Sequence, residues 1–304
     1  MQNPVPSRLA LLFGFVCIAT AFAQTPAPAQ WKDPDRGEPA LTHYKTFFSR
    51  IIGTEVSYLV YLPPDYETDL QHRYPVVYWL HALSGHQSAG RVFIGPLDNA
   101  IRNGRAPAMI VISVNGLRDK FYSDSKDGKW PLESVIIKEL IPHVDQTYRT
   151  IARREARGIE GFSMGGYGAA HLGFKYPDTF GAIGIMSGAL LTPEKLEELR
   201  DGEIYRTVWG GDRSYAEAND PFTLVTENAG RIRSAGTAIR IAVGSLDGLR
   251  VRLQAFHELL NKLNIENEFE LVPGVGHDGV LFYNTLAGRQ YDFYVKAFSS
   301  IGSR

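Results

Sequence analysis

Cysteine is almost absent from this sequence of 304 residues, which contains a single one, Cys17. A lone cysteine cannot form an intramolecular disulfide, and it cannot supply the cysteine pairs of a structural metal site. It also lies inside an apolar stretch, residues 9–22, that we expect to be removed from the mature protein. The fold should therefore depend on packing and hydrogen bonds rather than on covalent cross-links or a cysteine-bound metal.

Long apolar runs are scarce as well. The stretch at residues 9–22 is shorter than the ~20 residues that a membrane-spanning helix needs. Arg8 precedes it, and Ala21-Phe22-Ala23 matches a small-x-small cleavage site before Gln24. These features predict a secretory signal peptide over residues 1–23, with an uncleaved membrane anchor as the alternative. We expect a secreted or periplasmic mature protein that has no membrane association after cleavage.

Neither sign of charge is in excess, since the chain has 32 Lys and Arg, 33 Asp and Glu, and a formal net charge of −1. A nucleic-acid-binding surface requires a clustered basic face. The local arginine pairs at 153–154 and 231–233 are interpreted as solvated surface, so no nucleic-acid partner is expected. The balance of 44% hydrophobic and 21% charged residues is ordinary for a globular domain. The chain contains no internal repeat.

Segments of strand and helix character alternate through the chain from residue 41 onward. Residues 74–80 and 108–114 are apolar runs of strand length, as expected for strands buried on both faces of a parallel sheet. The alternation predicts an α/β fold with a mainly parallel central sheet and helices on both faces. The predicted strands are 43–49, 54–62, 74–80, 108–114, 157–161, 180–186, 239–243 and 268–272, and the main predicted helices are 92–103, 132–148, 251–263 and 280–299.

The alternation predicts a single domain over residues 41–304, preceded by a flexible lead-in at residues 24–40. Residues 190–234 break the regular pattern because this segment is longer and more polar than the other connections. We interpret it as a helical insertion over the carboxyl edge of the sheet, where open α/β sheets bind ligands.

Residues 161–166 read Gly-Phe-Ser-Met-Gly-Gly, which matches the pattern G-x-S-x-G. A predicted strand at 157–161 precedes the motif, and a helical pattern at 167–176, ended by Pro177, follows it. A strand, a sharp turn and a helix form the context in which the serine of an α/β-hydrolase is an exposed nucleophile. Ser163 is therefore the candidate nucleophile, and the alternative is a glycine-rich turn that contains a serine by chance.

A serine hydroxyl becomes a good nucleophile when a base removes its proton. In α/β-hydrolases the chain order is serine, acid, histidine. Three histidines follow Ser163. The helix after the motif should carry His171 away from the hydroxyl, and His257 lies in the middle of a predicted helix. His277 stands in a glycine-containing loop directly after the last predicted strand, so it is the predicted base, with a surface-loop histidine as the alternative.

The predicted acid is Asp247, which lies in the loop at 244–248, after the strand at 239–243. Asp212 and Asp220 in the insertion and Asp278 beside the base are the alternatives. Asp220 precedes a proline and suits a turn or a helix cap. Asp278 would have to fold back sharply to support the ring of the residue before it.

An acyl-transfer site also needs two donors for the oxygen that becomes negative during the reaction. One is the backbone N–H of Met164, the residue after the nucleophile. The other is expected from the loop after the strand at 74–80, where Leu83 is the candidate. His81 opens this loop and is interpreted as structural, with its ring bracing the loop by hydrogen bonds.

Four motifs together resemble the esterase D-type branch of the α/β-hydrolases. They stand at 121–124 (Phe-Tyr-Ser-Asp), 139–144 (Glu-Leu-Ile-Pro-His-Val), 161–169 (Gly-Phe-Ser-Met-Gly-Gly-Tyr-Gly-Ala) and 176–180 (Tyr-Pro-Asp-Thr-Phe). That branch includes carbohydrate esterase family 1, with its feruloyl and acetylxylan esterases, the S-formylglutathione hydrolases and the mycolyltransferases. The resemblance covers nearly the whole mature chain and implies an α/β-hydrolase fold. It implies the same five site residues: Ser163, Asp247, His277, Leu83 and Met164.

Two departures from the family pattern affect the site. The loop after the first buried strand is often His-Gly-x-Gly-Gly in the family, whereas residues 81–85 read His-Ala-Leu-Ser-Gly. Ala82 fits only if its φ is negative. Many relatives have a tryptophan after the base, where residues 279–282 read Gly-Val-Leu-Phe. The acyl pocket should therefore differ from theirs.

The motifs and the resemblance predict an exported serine carboxylic ester hydrolase that forms an acyl-enzyme, and they imply no metal or organic cofactor. The expected substrate is a small-molecule or polysaccharide ester, with an acyl or feruloyl ester of a carbohydrate favoured by export. Aromatic faces suit sugar and phenolic rings. We therefore place four aromatic residues near the substrate groove, with ordinary packing as the alternative: Phe121, Tyr122, Trp130 and Trp209.

Three other functions remain as alternatives. Acyl transfer, as in the mycolyltransferases, needs the same triad and differs only in the acceptor. Thioester hydrolysis of the S-formylglutathione hydrolase kind is a cytosolic activity, which the signal peptide disfavours. A carbohydrate-binding protein without catalysis is disfavoured by the complete serine, acid and histidine set. The sequence predicts no particular oligomeric state.

Overall fold

The computed structural model describes residues 30–34, 37, 39–299 and 301. The predicted signal peptide over residues 1–23 lies outside the described residues, as do positions 24–29, 35, 36 and 38 of the predicted lead-in. Within the described part of that lead-in, the Trp31 carbonyl accepts hydrogen bonds from the Ser57 N–H and Asn115 Nδ2, each at 3.0 Å. This part is thus held against the domain by hydrogen bonds, whereas the prediction has a flexible segment.

The centre of the molecule is an eight-stranded sheet in the order β1-β2-β4-β3-β5-β6-β7-β8. The strands β1 and β2 pair antiparallel with each other, and β2 pairs antiparallel with β4, whereas all other pairs are parallel. The predicted α/β fold with a mainly parallel sheet is confirmed. The strands are β1 (Thr42–Ser49), β2 (Thr54–Tyr61), β3 (Val76–Leu80), β4 (Ile110–Val114), β5 (Arg157–Phe162), β6 (Ala182–Met186), β7 (Ala238–Gly244) and β8 (Glu268–Val272).

Helices cover both faces of this sheet, as predicted. Because alternate residues of a strand point to opposite faces, Trp79 of β3 packs with Phe93 and Tyr283 on one face. Tyr78 packs with Leu172 on the other. The helices are α1 (Arg91–Arg102), α2 (Leu132–Val135), α3 (Ile141–Thr147), α4 (Met164–Lys175), α5 (Pro193–Glu198), α6 (Glu203–Trp209), α7 (Arg213–Ala218), α8 (Pro221–Glu227), α9 (Ala229–Ala235), α10 (Arg250–Lys262), α11 (Gly279–Leu286) and α12 (Arg289–Ala297).

The helix predicted over residues 132–148 contains a proline and is continuous in the structure. A wider, π-helical stretch, Ile136–Leu140, joins α2 to α3. Pro142 has no N–H, and its ring would clash with the carbonyl four residues earlier in a regular α-helix. The wider stretch precedes the proline and accommodates it without ending the helix.

The closing helix predicted over residues 280–299 is two helices, so that prediction was wrong. Ala287 and Gly288, between α11 and α12, have φ angles of 51° and 94°. A residue in the left-handed region cannot continue a right-handed helix, and such residues commonly end one. The chain therefore turns at this point, and Tyr294 of α12 is fully buried in the cluster that contains Trp79.

The insertion predicted at residues 190–234 is confirmed as helical, with α5 to α9 lying between β6 and β7. Backbone and side-chain hydrogen bonds attach it to the rest of the domain. The Lys126 N–H donates to the Val208 carbonyl at 2.9 Å, and Arg252 Nε donates to the Leu190 carbonyl at 2.9 Å. Within the described residues, no helix is long and apolar enough to span a membrane.

Candidate active site

Ser163 occupies the sharp turn between β5 and α4. Its φ of 58° and ψ of −116° lie in a region that a residue with a side chain rarely adopts, at a cost of about 1–3 kcal/mol. Its N–H donates to the Met186 carbonyl at 3.0 Å, and its own carbonyl accepts from the N–H groups of Tyr167 and Ala189 at 3.0 and 2.9 Å. These three bonds to neighbouring segments hold the serine in its unfavourable conformation.

The glycines around the serine allow three segments of backbone to meet. A Cβ atom on Gly165 would lie 2.0 Å from the Leu80 carbonyl oxygen, and one on Gly161 would lie 2.4 Å from the Gly165 carbonyl carbon. No side chain fits at such distances, so the motif requires glycine at both positions. The result is that the start of α4 abuts the end of β3, where the predicted oxyanion loop begins.

The loop between β8 and α11 brings His277 to the serine. His277 Nε2 lies 2.8 Å from Ser163 Oγ, and His277 Nδ1 lies 2.8 Å from Asp247 Oδ2. An ionised carboxylate only accepts hydrogen bonds, so the Nδ1 proton points to Asp247 and Nε2 can accept from the serine. The structure thus brings the three predicted side chains together in the order of a catalytic triad.

The other predicted candidates for the acid and the base have partners of their own. Asp212, Asp220 and Asp278 each accept a hydrogen bond from a backbone N–H at the start of a helix, which makes them N-caps. His171 bonds to Glu133, and His257 bonds to Asn267. Asp220 therefore caps a helix, as its position before a proline predicts.

Asp247 is buried and ionised. Burial alone would raise the pKa of its carboxyl, but the hydrogen bonds from His277 and from the Leu249 N–H outweigh burial and lower the pKa below its ordinary value. The Leu249 N–H donates to Oδ1 at 2.9 Å, so both carboxylate oxygens have donors. A carboxylate fixed in this way can orient the imidazole and stabilise its protonated form.

The loop after β3 is braced by His81, as predicted. The Gly116 N–H donates to His81 Nε2 at 2.9 Å, so the ring proton is on Nδ1, which donates to the Ala82 carbonyl at 2.9 Å. Burial lowers the pKa of His81 to about 4, so the ring is neutral. Ala82 is not among the described residues with positive φ, which meets the condition for alanine there.

The two predicted oxyanion donors lie beside the serine. Leu83 and Met164 line the same cavity as Ser163 and His277. Met164 is the first residue of α4, and the first N–H groups of a helix have no carbonyl partner within it. The Met164 N–H therefore has no helical carbonyl competing for it.

The cavity above Ser163 has a volume of about 350 Å³ and is open to solvent. Aliphatic and aromatic side chains form most of its wall, which suits an acyl group. It is lined by Leu83, Phe121, Ser163, Met164, Ala189, Leu191, Leu199, Asp247, Gly248, Leu249 and His277.

Only one of the four predicted substrate aromatics lines this cavity. That residue is Phe121. Tyr122 is fully buried and its hydroxyl donates to the His81 carbonyl at 3.0 Å, so it supports the loop. Trp209 is also fully buried and packs behind Phe121 with ring centroids 5.2 Å apart. Trp130 is not in the cavity wall either, and its ring packs on Trp31 with centroids 6.1 Å apart.

Sequence reasoning missed four apolar residues of the wall. Ala189 and Leu191 follow β6, Leu199 follows α5 of the insertion, and Leu249 directly precedes α10. The position of Ala189 and Leu191 shortly after β6 could have identified these two, because the carboxyl ends of parallel strands surround the site. Within the described residues, no group of three or more His, Cys, Asp or Glu side chains is placed to hold a metal ion.

This sheet order, with a serine in the turn after the central strand and a histidine and an aspartate in loops after later strands, is that of an α/β-hydrolase. The chain belongs to the Esterase family, which it matches over residues 49–301. The resemblance predicted from the four motifs is thereby confirmed.

Relatives and solved structures agree with this assignment. An endo-1,4-beta-xylanase/feruloyl esterase of Xylanibacter ruminicola is 33% identical over 165 residues, which cover 50% of this chain and 22% of that protein. A ferulic acid esterase structure has a TM-score of 0.72 and 25% identity and covers 84% of this chain and 98% of its own. The S-formylglutathione hydrolase of Staphylococcus aureus shares the fold, with a TM-score of 0.68, 19% identity and the same two coverages. The chain spans 22–34% of the length of the first curated relatives it matches.

Proposed function

We propose that this protein is an exported serine esterase that hydrolyses acyl or feruloyl esters of carbohydrates through an acyl-enzyme. The observation that carries the proposal is the continuous hydrogen-bonded order Asp247, His277, Ser163, with 2.8 Å at each histidine nitrogen. Family membership supports the reaction class. The geometry of the individual residues supports the role proposed for each.

Acylation begins when Ser163 Oγ attacks the carbonyl carbon of the ester. As the new C–O bond forms, the hydroxyl proton passes to His277 Nε2 and the carbonyl π electrons move to the oxygen. When the tetrahedral intermediate collapses, the bond to the leaving oxygen breaks. The leaving alcohol takes the proton from Nε2, and the acyl group stays on Ser163.

Deacylation repeats these steps with water. His277 Nε2 accepts a proton from the water as the water oxygen attacks the acyl carbon. The bond between the acyl carbon and Ser163 Oγ then breaks, and Oγ takes that proton from Nε2 as the acid leaves. Asp247 keeps its negative charge throughout and stabilises the imidazolium in both halves of the reaction. The ester and water become an acid and an alcohol, and the enzyme is unchanged.

The N–H groups of Leu83 and Met164 are assigned to the negative oxygen of the tetrahedral intermediates. One such donor contributes roughly 10²–10³ in rate. Both residues line the cavity next to Ser163, and the His81 ring holds the Leu83 loop. The donors are backbone groups, so the side chains of both residues are available to contact the acyl group.

The substrate class is proposed from the cavity and from the relatives. The apolar wall, including Phe121, Leu191 and Leu249, fits an acyl chain or a phenolic ring, and the open mouth leaves room for a sugar outside. A relative and a solved structure are named as feruloyl and ferulic acid esterases.

Export is the part of the proposal that depends on residues 1–23, and N-terminal sequencing of secreted protein should find Gln24 first.

The reaction is tested by Ser163→Ala, with Ser214→Ala as the matched control because Ser214 lies exposed on α7. We expect Ser163→Ala to lower kcat on p-nitrophenyl acetate by at least about 10⁴-fold, since a triad acts as a unit. A fluorophosphonate probe should label the wild type and Ser214→Ala but not Ser163→Ala. Equal labelling of all three proteins would exclude Ser163 as the nucleophile.

The substrate is tested with a panel of esters at equal concentration. Feruloylated and acetylated sugars should give a higher kcat/KM than the matching methyl esters. S-formylglutathione is the comparison for thioester hydrolysis, and a higher kcat/KM on it would overturn the substrate assignment. Analysis of products with a sugar alcohol present distinguishes acyl transfer from hydrolysis.

A further inference from the structure

A buried carboxylate lies beneath the active site and has no part in the mechanism above. Glu160 of β5 accepts a hydrogen bond from the Tyr283 hydroxyl at 3.0 Å on Oε1 and from the Tyr294 hydroxyl at 3.0 Å on Oε2. The Tyr283 hydroxyl in turn accepts from Trp79 Nε1 at 3.1 Å. We call Trp79, Glu160, Tyr283 and Tyr294 the Glu160 cluster, and each of its members is at most 2% exposed.

The Glu160 cluster connects the three segments that carry the reacting groups. Trp79 stands on β3, two residues before His81 and the oxyanion loop. Glu160 stands on β5, three residues before Ser163. Tyr283 stands on α11, which begins directly after the loop that holds His277. The hydrogen bonds therefore fix the oxyanion loop, the nucleophile and the base relative to one another from below.

A packed aromatic layer transmits this position to the base. The Phe162 ring lies against the His277 ring, with centroids 5.1 Å apart, and against the Tyr283 ring at 6.4 Å. Phe162 directly precedes Ser163 on the same strand as Glu160. A shift of Tyr283 would thus reach the imidazole through one intervening ring.

The fold makes room for a carboxylate at this place. On the neighbouring strand β6, a Cβ on Gly184 would lie 2.8 Å from Glu160 Oε2, so the glycine leaves the space that the acid fills. A buried carboxylate is costly unless donors satisfy it. Here both oxygens have hydroxyl donors, and Arg240 of β7 supplies a nearby positive charge.

We propose that Glu160 is a positioning residue whose ionised side chain, through Tyr283 and Tyr294, holds the base loop and the nucleophile in their reactive arrangement. The inference rests on the proposed function, because it concerns the same serine and histidine. It adds a residue that touches neither substrate nor reacting atoms and acts through Tyr283 and Phe162.

The ionised form is the one that fits the observed hydrogen bonds. Protonation of Glu160 would turn one of its oxygens into a donor, and the tyrosine hydroxyl facing that oxygen would have to rotate away. Burial raises the pKa of Glu160 to about 7, while the hydroxyls of Tyr283 and Tyr294 and the charge of Arg240 oppose the rise. The hydrogen bonds from Tyr283 and Tyr294 to Glu160 should therefore be rearranged below neutral pH. Activity should fall for this reason and, separately, because the base becomes protonated.

The pH–rate profile tests this with Glu160→Gln, which has the same shape but cannot ionise. In the wild type, log(kcat/KM) on p-nitrophenyl acetate should fall on the acid side with a slope above one. The active form needs two groups without their proton, an ionised Glu160 and a neutral His277. Glu160→Gln should show a slope of one and a kcat lowered about tenfold with KM within about twofold, as expected for misplaced reacting groups.

A matched control is Glu133→Gln, which changes a second buried carboxylate that also accepts from a tyrosine, Tyr176. It should destabilise the fold but keep the wild-type acid slope. An unchanged slope and kcat in Glu160→Gln would overturn the proposal, as would a loss of kcat that Glu133→Gln reproduces. If Glu160→Gln does not fold, Tyr294→Phe removes one donor from the carboxylate and should move the ionisation of Glu160 in the acid-side profile to higher pH. An unmoved profile in Tyr294→Phe would also overturn it.

Stability gives a readout that does not depend on ester hydrolysis. Because the pKa of Glu160 is higher in the folded than in the unfolded state, its protonated form favours folding. The contribution of this group to the free energy of unfolding is therefore fully present below about pH 4.5 and is lost as pH rises through about 7. Urea unfolding should show wild type losing stability relative to Glu160→Gln over this window. If that shift is seen but no ester is cleaved, the proposed function fails and the buried ionisation stands. If hydrolysis is seen without this shift and without a slope change, the positioning role fails alone.

Discussion

Two histidines of this molecule, His277 in the loop before α11 and His171 on α4, each pair with a carboxylate at nearly the same distance. In the first, His277 Nδ1 lies 2.8 Å from Asp247, and in the second, His171 Nε2 lies 2.7 Å from Glu133. The distance between the two groups and their chemical kind, an imidazole and a carboxylate, do not distinguish the two pairs. The partner of the other ring nitrogen does, because His277 faces the Ser163 hydroxyl whereas His171 faces the Asn219 carbonyl.

That partner determines what each ring can do with a proton. A hydroxyl can give up its proton to a neutral ring nitrogen, so His277 is able to act as a base. A carbonyl oxygen only accepts, and it lies 3.0 Å from His171 Nδ1, so that nitrogen carries a proton. The ionised Glu133 faces the other nitrogen and also only accepts, so both ring nitrogens of His171 act as donors.

Access to solvent is the second difference. The His277 side chain is 41% exposed, whereas the His171 side chain is fully buried. Substrate and water can reach the first ring but not the second. A histidine–carboxylate pair is therefore a candidate for catalysis only together with a proton donor and an open cavity, and is otherwise a structural pair.

The largest effect should come from removing the charge of the first carboxylate. Asp247→Asn keeps the shape of the side chain but can leave the imidazole in the wrong tautomer, so we expect kcat on p-nitrophenyl acetate to fall about 10³–10⁴-fold. Glu133→Gln is the same change in the second pair, and it should keep kcat within about threefold when measured on folded enzyme. Similar losses in both variants would contradict the distinction between the pairs.

The two variants should rank in the opposite order when stability is measured, with the larger loss in Glu133→Gln. Glu133→Gln leaves the buried His171 without its counter-ion, and breaking a buried pair costs about 3–5 kcal/mol. Asp247→Asn should cost much less, because the His277 side chain is 41% exposed and water can solvate its ring. Urea unfolding at pH 7 compares the free energies of unfolding of the two variants. A smaller loss in Glu133→Gln than in Asp247→Asn would show that the second pair is not a structural pair.

Acid should remove the stability that the second pair contributes to the fold. Burial alone would raise the pKa of Glu133, but the hydrogen bonds and charges of His171 and Lys175 outweigh it, so the pKa lies well below the ordinary value. A depressed folded-state pKa contributes stability above the ordinary value of about 4.5, and this stability is lost as pH falls through the folded-state value. The difference in unfolding free energy between wild type and Glu133→Gln should therefore shrink from pH 4 downward. A difference that stays constant to pH 2 would contradict the assignment of an ionised Glu133.

The smallest effect should come from Lys175, a third residue that contacts Glu133 of the second pair. Lys175 Nζ lies 2.9 Å from Glu133 Oε1, and the lysine side chain is 33% exposed. Water screens such a contact, so Lys175→Met should cost about 0.2–1 kcal/mol and leave kcat unchanged. A loss as large as that of Glu133→Gln would mean that Lys175, rather than His171, is the principal counter-ion.

The sequence predicted the parts of the site that depend on topology. Ser163, Asp247 and His277 each follow a strand, and parallel strands bring their carboxyl ends to one edge, so the three residues could be predicted to meet. The rule that rejected His171, its position on the helix leaving the serine, also agrees with the structure, where that side chain lies in a buried pair.

What depends on side-chain packing could not be predicted in the same way. Aromatic residue type alone does not say which side of a loop a ring occupies, and Tyr122 and Trp209 lie behind the cavity wall rather than in it. Nor does the sequence around Glu160 show that hydroxyls from two later helices reach it. The end of α11 at Ala287 was missed because nothing in alanine indicates a left-handed φ.

The insertion from α5 to α9 leaves the sheet after β6 and returns at β7, two neighbouring strands of unbroken parallel register. It supplies Leu191 and Leu199 to the cavity wall but none of the three triad residues. A change confined to this insertion would therefore alter the wall that contacts the acyl group while Ser163, Asp247 and His277 stay in place. One restriction applies, because the Asn219 carbonyl within it is the acceptor for His171. Any replacement would have to offer a carbonyl at the same place, or it would leave the buried Nδ1–H of His171 without an acceptor, on the helix that follows Ser163.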